Sequence, residues 1–220
     1  MLSVKKMNRD LLDAEVFWQE FDKVKDVLMD IDSLSDKEAD KVLHDLDKKL
    51  KRYSKGLDFI LGDLTKKGRT FTITANGDEE YFTFVEGLME YAPEINLWKI
   101  QGYLPPEGNH QVMKYNGYTL RSWEMFFVPL VKEEDATKVG LRIGVKKYID
   151  KDDFNICAYL LIEKMIGEYN ATTLIEYFDV VALPDDYEEQ HYIPLDNLPD
   201  YIAWVLKGLR VLANRQKKDK

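Results

Sequence analysis

The sequence predicts an α+β protein: a largely antiparallel sheet of about six strands, with helices mainly on one face and a helical hairpin at the N-terminus. Two observations carry this. Apolar residues recur at a helical period through the first 55 residues, and the period shortens to two from Leu57. From there a strand–strand–helix–strand order occurs twice, at 57–104 and 124–183, and three strands per half give six. The halves share the order of elements without visible similarity of sequence.

The hairpin comes first. Phe17, Phe21, Val24, Leu28 and Ile31 lie on one helical face, with Val16, Trp18 and Val27 widening the stripe. Ser35 and Glu38 then stand in capping-box spacing. Ala39, Val42, Leu43, Leu46, Leu50 and Tyr53 repeat the period, and Gly56 can end the second helix. Phe21, Val24, Leu28, Leu43, Leu46 and Leu50 are expected to be buried, and Glu20, Lys25, Lys48 and Lys51 mostly exposed. Two helices alone make a thin core, so their apolar faces should cover both each other and the rest of the protein.

Leu57, Phe59 and Leu61 predict a short strand, Lys66-Lys67-Gly68 a turn, and Arg69 to Ala75 a second strand. Asn76-Gly77-Asp78 breaks that strand and can cap a helix from about Glu79 to Tyr91. Pro93 ends the helix, and Asn96 to Leu104 returns as a strand, stopped by Pro105-Pro106. If helices cover one face only, Lys99, Gln101 and Tyr103 face outward. In the second half, Met125 to Val131 and Val139 to Tyr148 read as strands joined by a charged turn, Lys132 to Lys138. Phe154 to Ile166 reads as a well-buried helix closed by Gly167, and Thr172 to Leu183 as a strong strand. A final helix, about 196–214, uses Leu198, Ile202, Val205, Leu209 and Leu212, followed by a frayed polar tail. The connection 105–123 is read as a loop too rich in aromatic residues for a free linker, so the expectation is a single domain over 1–220.

Composition narrows the function classes. The chain has 220 residues and 31 Lys and Arg against 40 Asp and Glu, a net charge of −9. That balance argues against nonspecific nucleic-acid binding, which needs a basic footprint. No apolar run reaches the roughly 20 residues of a membrane span. The N-terminal lysines precede no apolar segment of the secretory kind. A single cysteine provides neither an intrachain disulfide nor a cysteine-based zinc site, and a reducing cytoplasm is the simplest setting.

Four stretches are similar to an uncharacterised bacterial α+β family: Ile73-Thr74-Ala75-Asn76-Gly77 with the helix after it, Ala92 through Ile100, Leu161 through Tyr169 with the strand ending at Leu183-Pro184, and Pro194 through Pro199. Together they span most of 57–202. The resemblance implies one compact α+β unit in a bacterial cytoplasm. It carries no reaction, ligand or catalytic residue.

Chemistry-bearing residues are scattered. His44, His110 and His191 fall in different elements without metal-ligand spacing. Cys157 lies in a very apolar helix, where a thiol behaves as a small hydrophobe. Gly140-Leu141-Arg142-Ile143-Gly144 sits inside a strand, so it cannot cradle a phosphate between strand and helix. Ser122, between Arg121 and Trp123, has no recognisable partner. The reading therefore contains no catalytic residue, cofactor or metal. Charge is most uneven between Lys164 and Lys207, a stretch without Lys or Arg that holds nine acids. Asp185, Asp186, Glu188 and Glu189 crowd one loop there. A solvated loop is the ordinary reading of such a run; the functional one is a surface for a basic protein partner. The leading expectation is thus a non-catalytic binding or regulatory protein, in the manner of an inhibitor or immunity protein. The alternative is a small-molecule enzyme with a site built from scattered carboxylates and tyrosines. No feature of the sequence specifies an oligomeric state.

Overall fold

The structure, a computed structural model, describes the backbone over residues 4–130 and 138–218 and side chains over 13–130 and 138–210. The turn expected at Lys132 to Lys138 lies almost wholly outside the described residues, as do the end of the tail and the side chain of Leu212. The chain divides into two compact units, Met1–Leu104 and Pro105–Lys220.

In the first unit, α1 (Val4–Met29) and α2 (Asp36–Tyr53) form the expected hairpin. The capping box is made: the Ser35 backbone N–H and hydroxyl both donate to Glu38 Oε2, at 3.1 and 2.6 Å. Next come β1 (Asp58–Leu61), β2 (Arg69–Thr74), α3 (Phe82–Met89) and β3 (Trp98–Gly102). The sheet order is β1-β2-β3, antiparallel then parallel. The hairpin covers this sheet and α3. Phe21 packs on Phe71 and Trp98, with ring centroids 4.7 and 5.2 Å away. The Trp18 indole N–H donates to the Leu88 carbonyl at 2.8 Å. Phe21, Leu28, Leu46 and Leu50 are buried, while Val24 and Leu43 are half-buried at the seam between the helices. Lys48 is exposed, but Glu20, Lys25 and Lys51 are half-buried. Lys51 is drawn in by Asp58 and by the Leu57 carbonyl at 2.7 Å. Val16 and Val27 do not widen the buried stripe and are 49% and 41% exposed. On β3 only Lys99 is exposed; Gln101 is half-buried and donates to Thr72 Oγ1 at 3.1 Å.

The second unit begins with a hairpin of β4 (Val112–Tyr115) and β5 (Tyr118–Arg121), inside the stretch read as a loop. Asn116 and Gly117, at φ 42° and 83°, make the two-residue turn that positive φ permits. Then follow β6 (Met125–Leu130), β7 (Val139–Val145), α4 (Asp152–Ile166), α5 (Glu168–Leu174), β8 (Ile175–Ala182), β9 (Ile193–Pro194) and α6 (Leu198–Lys218). The sheet runs β8-β7-β6-β9. Its core is built on α4, where Cys157, Ala158, Leu161, Ile162 and Met165 are buried against Phe127, Leu141 and Ile143. Met113, Tyr115 and Tyr118 of the hairpin pack on the same core.

The expected strand–strand–helix–strand order is present in each unit, with the same pairing. β1–β2 and β6–β7 are antiparallel hairpins, and β2–β3 and β7–β8 are parallel. A helix carrying the chain back across a sheet makes the next strand parallel. The single six-stranded, largely antiparallel sheet is therefore corrected to mixed sheets of three and four strands plus the two-stranded hairpin. The strand expected from Thr172 begins at Ile175, because the chain resumes helix after Gly167 as α5.

Candidate functional site

The acidic loop joins β8 to β9. Asp185, Asp186, Glu188 and Glu189 are all exposed. The loop is tightly built. Its backbone closes with Tyr187 N–H to the Pro184 carbonyl at 3.2 Å, His191 N–H to Glu188 at 3.1 Å and Tyr192 N–H to Tyr187 at 2.9 Å. Two tyrosines anchor it to the outer face of the sheet. The Tyr187 ring packs at a tilt against Phe126, with centroids 5.0 Å apart, and Tyr192 is buried.

Gly144 explains how the loop lies so close: a Cβ there would come within 2.6 Å of the Leu183 side chain and 2.9 Å of the Tyr192 ring. Gly140 serves the strand pairing instead, since a Cβ there would come within 3.0 Å of Leu130 of β6. The glycines of Gly140-Leu141-Arg142-Ile143-Gly144 thus serve close packing in and on the sheet. Between them Arg142 Nε meets Asp179 of β8 at 2.9 Å, across the parallel register. Asp179 is therefore neutralised, whereas the four loop carboxylates pair with no cation among the described residues.

A second cluster joins residues that the sequence shows far apart. Asp196, just before α6, accepts from the Ser122 hydroxyl at 2.5 Å and from the His110 backbone N–H at 3.1 Å; its Oδ2 lies 2.8 Å from His110 Nδ1. Burial opposes ionisation of Asp196, but these hydrogen bonds outweigh it and hold the carboxyl below its usual range. His110 sits at φ 61° and stacks on Trp123, with centroids 4.8 Å apart. Asp196 stands between serine and histidine, so the imidazole does not reach the hydroxyl. Ser122 is fully buried and also accepts the Gln111 backbone N–H at 2.9 Å. That geometry pins a loop and does not activate a nucleophile. The other two histidines are exposed.

Cys157 is buried, and desolvation pushes its thiol pKa up against the backbone hydrogen bonds that reach it. Glu163 on α4 also rises, first through burial and then through the nearby charge of Glu168, which is itself buried. Among the described residues no three His, Cys, Asp or Glu side chains form a metal-ligating group. Among them, too, no helix is long and apolar enough to cross a membrane.

A cleft of about 590 Å³ opens beside the β4–β5 hairpin. Its floor includes the buried Leu120, Met125, Val145 and Phe154. Arg121, Lys146, Lys147, Glu124 and Trp123, all exposed, form its rim. The aromatic residues of this region are visible in the sequence but the cleft is not, because its lysines follow the far end of β7. In comparisons with known proteins, the chain matches no family model, no curated protein and no solved structure.

Proposed function

We propose that the chain is a non-catalytic binding protein that docks a basic protein partner through the loop Asp185 to Glu189, in the manner of an inhibitor or immunity protein. The observation that carries this reading is a rigidly anchored loop presenting four exposed carboxylates with no cationic partner among the described residues. Elsewhere carboxylates such as Glu20, Asp58 and Asp179 are paired. A surface already ordered loses little conformational entropy on docking, and uncompensated charge steers association. A bacterial cytoplasm remains the proposed setting, supported by the single free cysteine and the resemblance described above.

The test replaces Asp185, Asp186, Glu188 and Glu189 together with their amides and captures partners from the native cell on both proteins. A basic protein retained by the wild type should associate more slowly with the variant, with a weaker dependence on ionic strength. Equal rates and equal salt slopes would return the loop to a purely solvating role. The enzyme alternative has one feature in its favour, the raised carboxyl of Glu163 beside Tyr159 and Glu168. Glu163 does not line the cleft beside the hairpin.

A further inference from the structure

We propose that the cleft between the β4–β5 hairpin and the end of β7 binds a small aromatic anion, a planar ring carrying a phosphate or carboxylate group. The inference does not rest on a docking role for the acidic loop, although Phe126 both lines the cleft and packs against Tyr187 of that loop. In a chain of net charge −9, this cleft carries three cations, Arg121, Lys146 and Lys147, against one lining acid, Glu124. Arg121 lies 3.5 Å from Glu124, which offsets one charge. Lys146 and Lys147 pair with no carboxylate among the described residues. Lys146 Nζ instead sits 5.7 Å from the centroid of the Phe126 ring, a placement the ring's electron density favours. Two lysines thus line the rim of a cleft with an apolar floor, and an anion there would gain charge-assisted hydrogen bonds.

The ring requirement comes from Trp123. It is 42% exposed and lines the cleft, while His110, which does not line it, stacks on the indole. The imidazole Nδ1 lies 2.8 Å from Asp196 Oδ2, a contact that favours one orientation of the ring stacked on the indole. A pre-oriented aromatic side chain beside cationic groups recognises a planar anion by stacking and charge together. The volume of about 590 Å³ falls within the range of small-molecule sites.

The test is a titration of the full chain followed by amide and indole NMR at low salt. The probes are adenosine monophosphate and 2-naphthoate, with adenosine and inorganic phosphate as controls. The expected result is binding of at least one aromatic anion, with shifts at the Trp123 indole N–H and at the amides of Arg121, Lys146 and Lys147. Adenosine and phosphate should each bind more weakly. Preference for adenosine monophosphate assigns the site to phosphate, preference for 2-naphthoate to carboxylate. Lys146→Gln with Lys147→Gln, both exposed positions, should lower affinity roughly tenfold or more with an unchanged circular dichroism spectrum. The proposal is overturned if neither aromatic anion binds up to about 1 mM, if phosphate alone binds as well as they do, if the shifts map elsewhere, or if the double variant binds equally.

Discussion

Asp196 and Glu163 are two carboxyl groups whose environments push them in opposite directions, and each shift has a stability consequence. Asp196 is held below its usual range by Ser122 and His110 against the cost of burial. Its contribution is therefore fully present above the unfolded carboxyl pKa and is lost as pH falls through the lower, folded value. Asp196→Ala should cost about 1–3 kcal/mol at neutral pH, because it strands the buried Ser122 hydroxyl and a backbone donor. Urea denaturation at pH 7 and in the acid limb checks this: the gap between wild type and variant should narrow on acidification. Glu163 has the reverse sign. Its folded pKa is raised by burial and then by Glu168, so stability is present below the unfolded value and falls as pH rises toward the folded one. Glu163→Gln should raise the melting temperature at neutral pH and leave it little changed in acid. A lower melting temperature at pH 7 would mean that Glu163 makes a favourable contact outweighing its desolvation. The Asp196 cluster was not legible beforehand. His110 and Ser122 are 86 and 74 positions from Asp196, and a single sequence holds no signal for a contact of that range. Cys157 was legible, because an apolar helical neighbourhood already describes burial. Its thiol should react slowly with a labelling reagent in the native protein and rapidly on unfolding.

Elements with a strong local signature were readable, and those defined by a partner elsewhere were not. The S-x-x-E spacing at Ser35 and Glu38 specifies a helix start by chemistry confined to four residues, and the cap is made as expected. The missed hairpin carried a signal of the same kind: Asn116-Gly117 between Tyr115 and Tyr118 is a two-residue turn pattern. Two residues of turn signal are outweighed by the Gly, Pro and aromatic residues around them, which read as a loop. Val16 and Val27 show the opposite limit, since a helical stripe fixes a face but not its width. The width depends on what covers it, and sheet and α3 stop short of both valines. Leu46, 3% exposed, lies well inside the covered part. Leu46→Ala should cost about 2–5 kcal/mol by chemical denaturation, and a value under about 1 kcal/mol would mean that the seam collapses around the gap. At Gly144 the dependence is on the acidic loop. Gly144→Ala places a methyl group against Leu183 and Tyr192, and the tyrosine ring is too large to yield cheaply in a packed site. Amide exchange in residues 184–192 should accelerate, while exchange in β2 of the first unit stays unchanged.

At the scale of the whole chain, the division after Leu104 matters more than the count of strands. Among the described residues one apolar cluster draws its buried members from Ala14 to Leu88 and the other from Leu120 to Val205, so each lies within one unit. The aromatic residues of 105–123 looked like evidence against a boundary there. In the structure Tyr115 and Tyr118 pack on the core built around α4, so their burial is accounted for within the second unit. Each unit exceeds the roughly 40 residues below which a chain usually needs disulfides, metals or a partner to fold. The second has a sheet covered by α4 on one face and, over β7, by the anchored acidic loop on the other. Residues 105–220 expressed alone should therefore fold, with dispersed amide resonances and a single cooperative denaturation transition. The retained folded state should keep the Cys157 thiol protected, because the core cluster that holds it draws all its members among the described residues from after Pro105. A fragment with collapsed resonances and a freely reactive thiol would show that the second core needs the first 104 residues, and the chain would then act as one folding unit despite its two separate clusters.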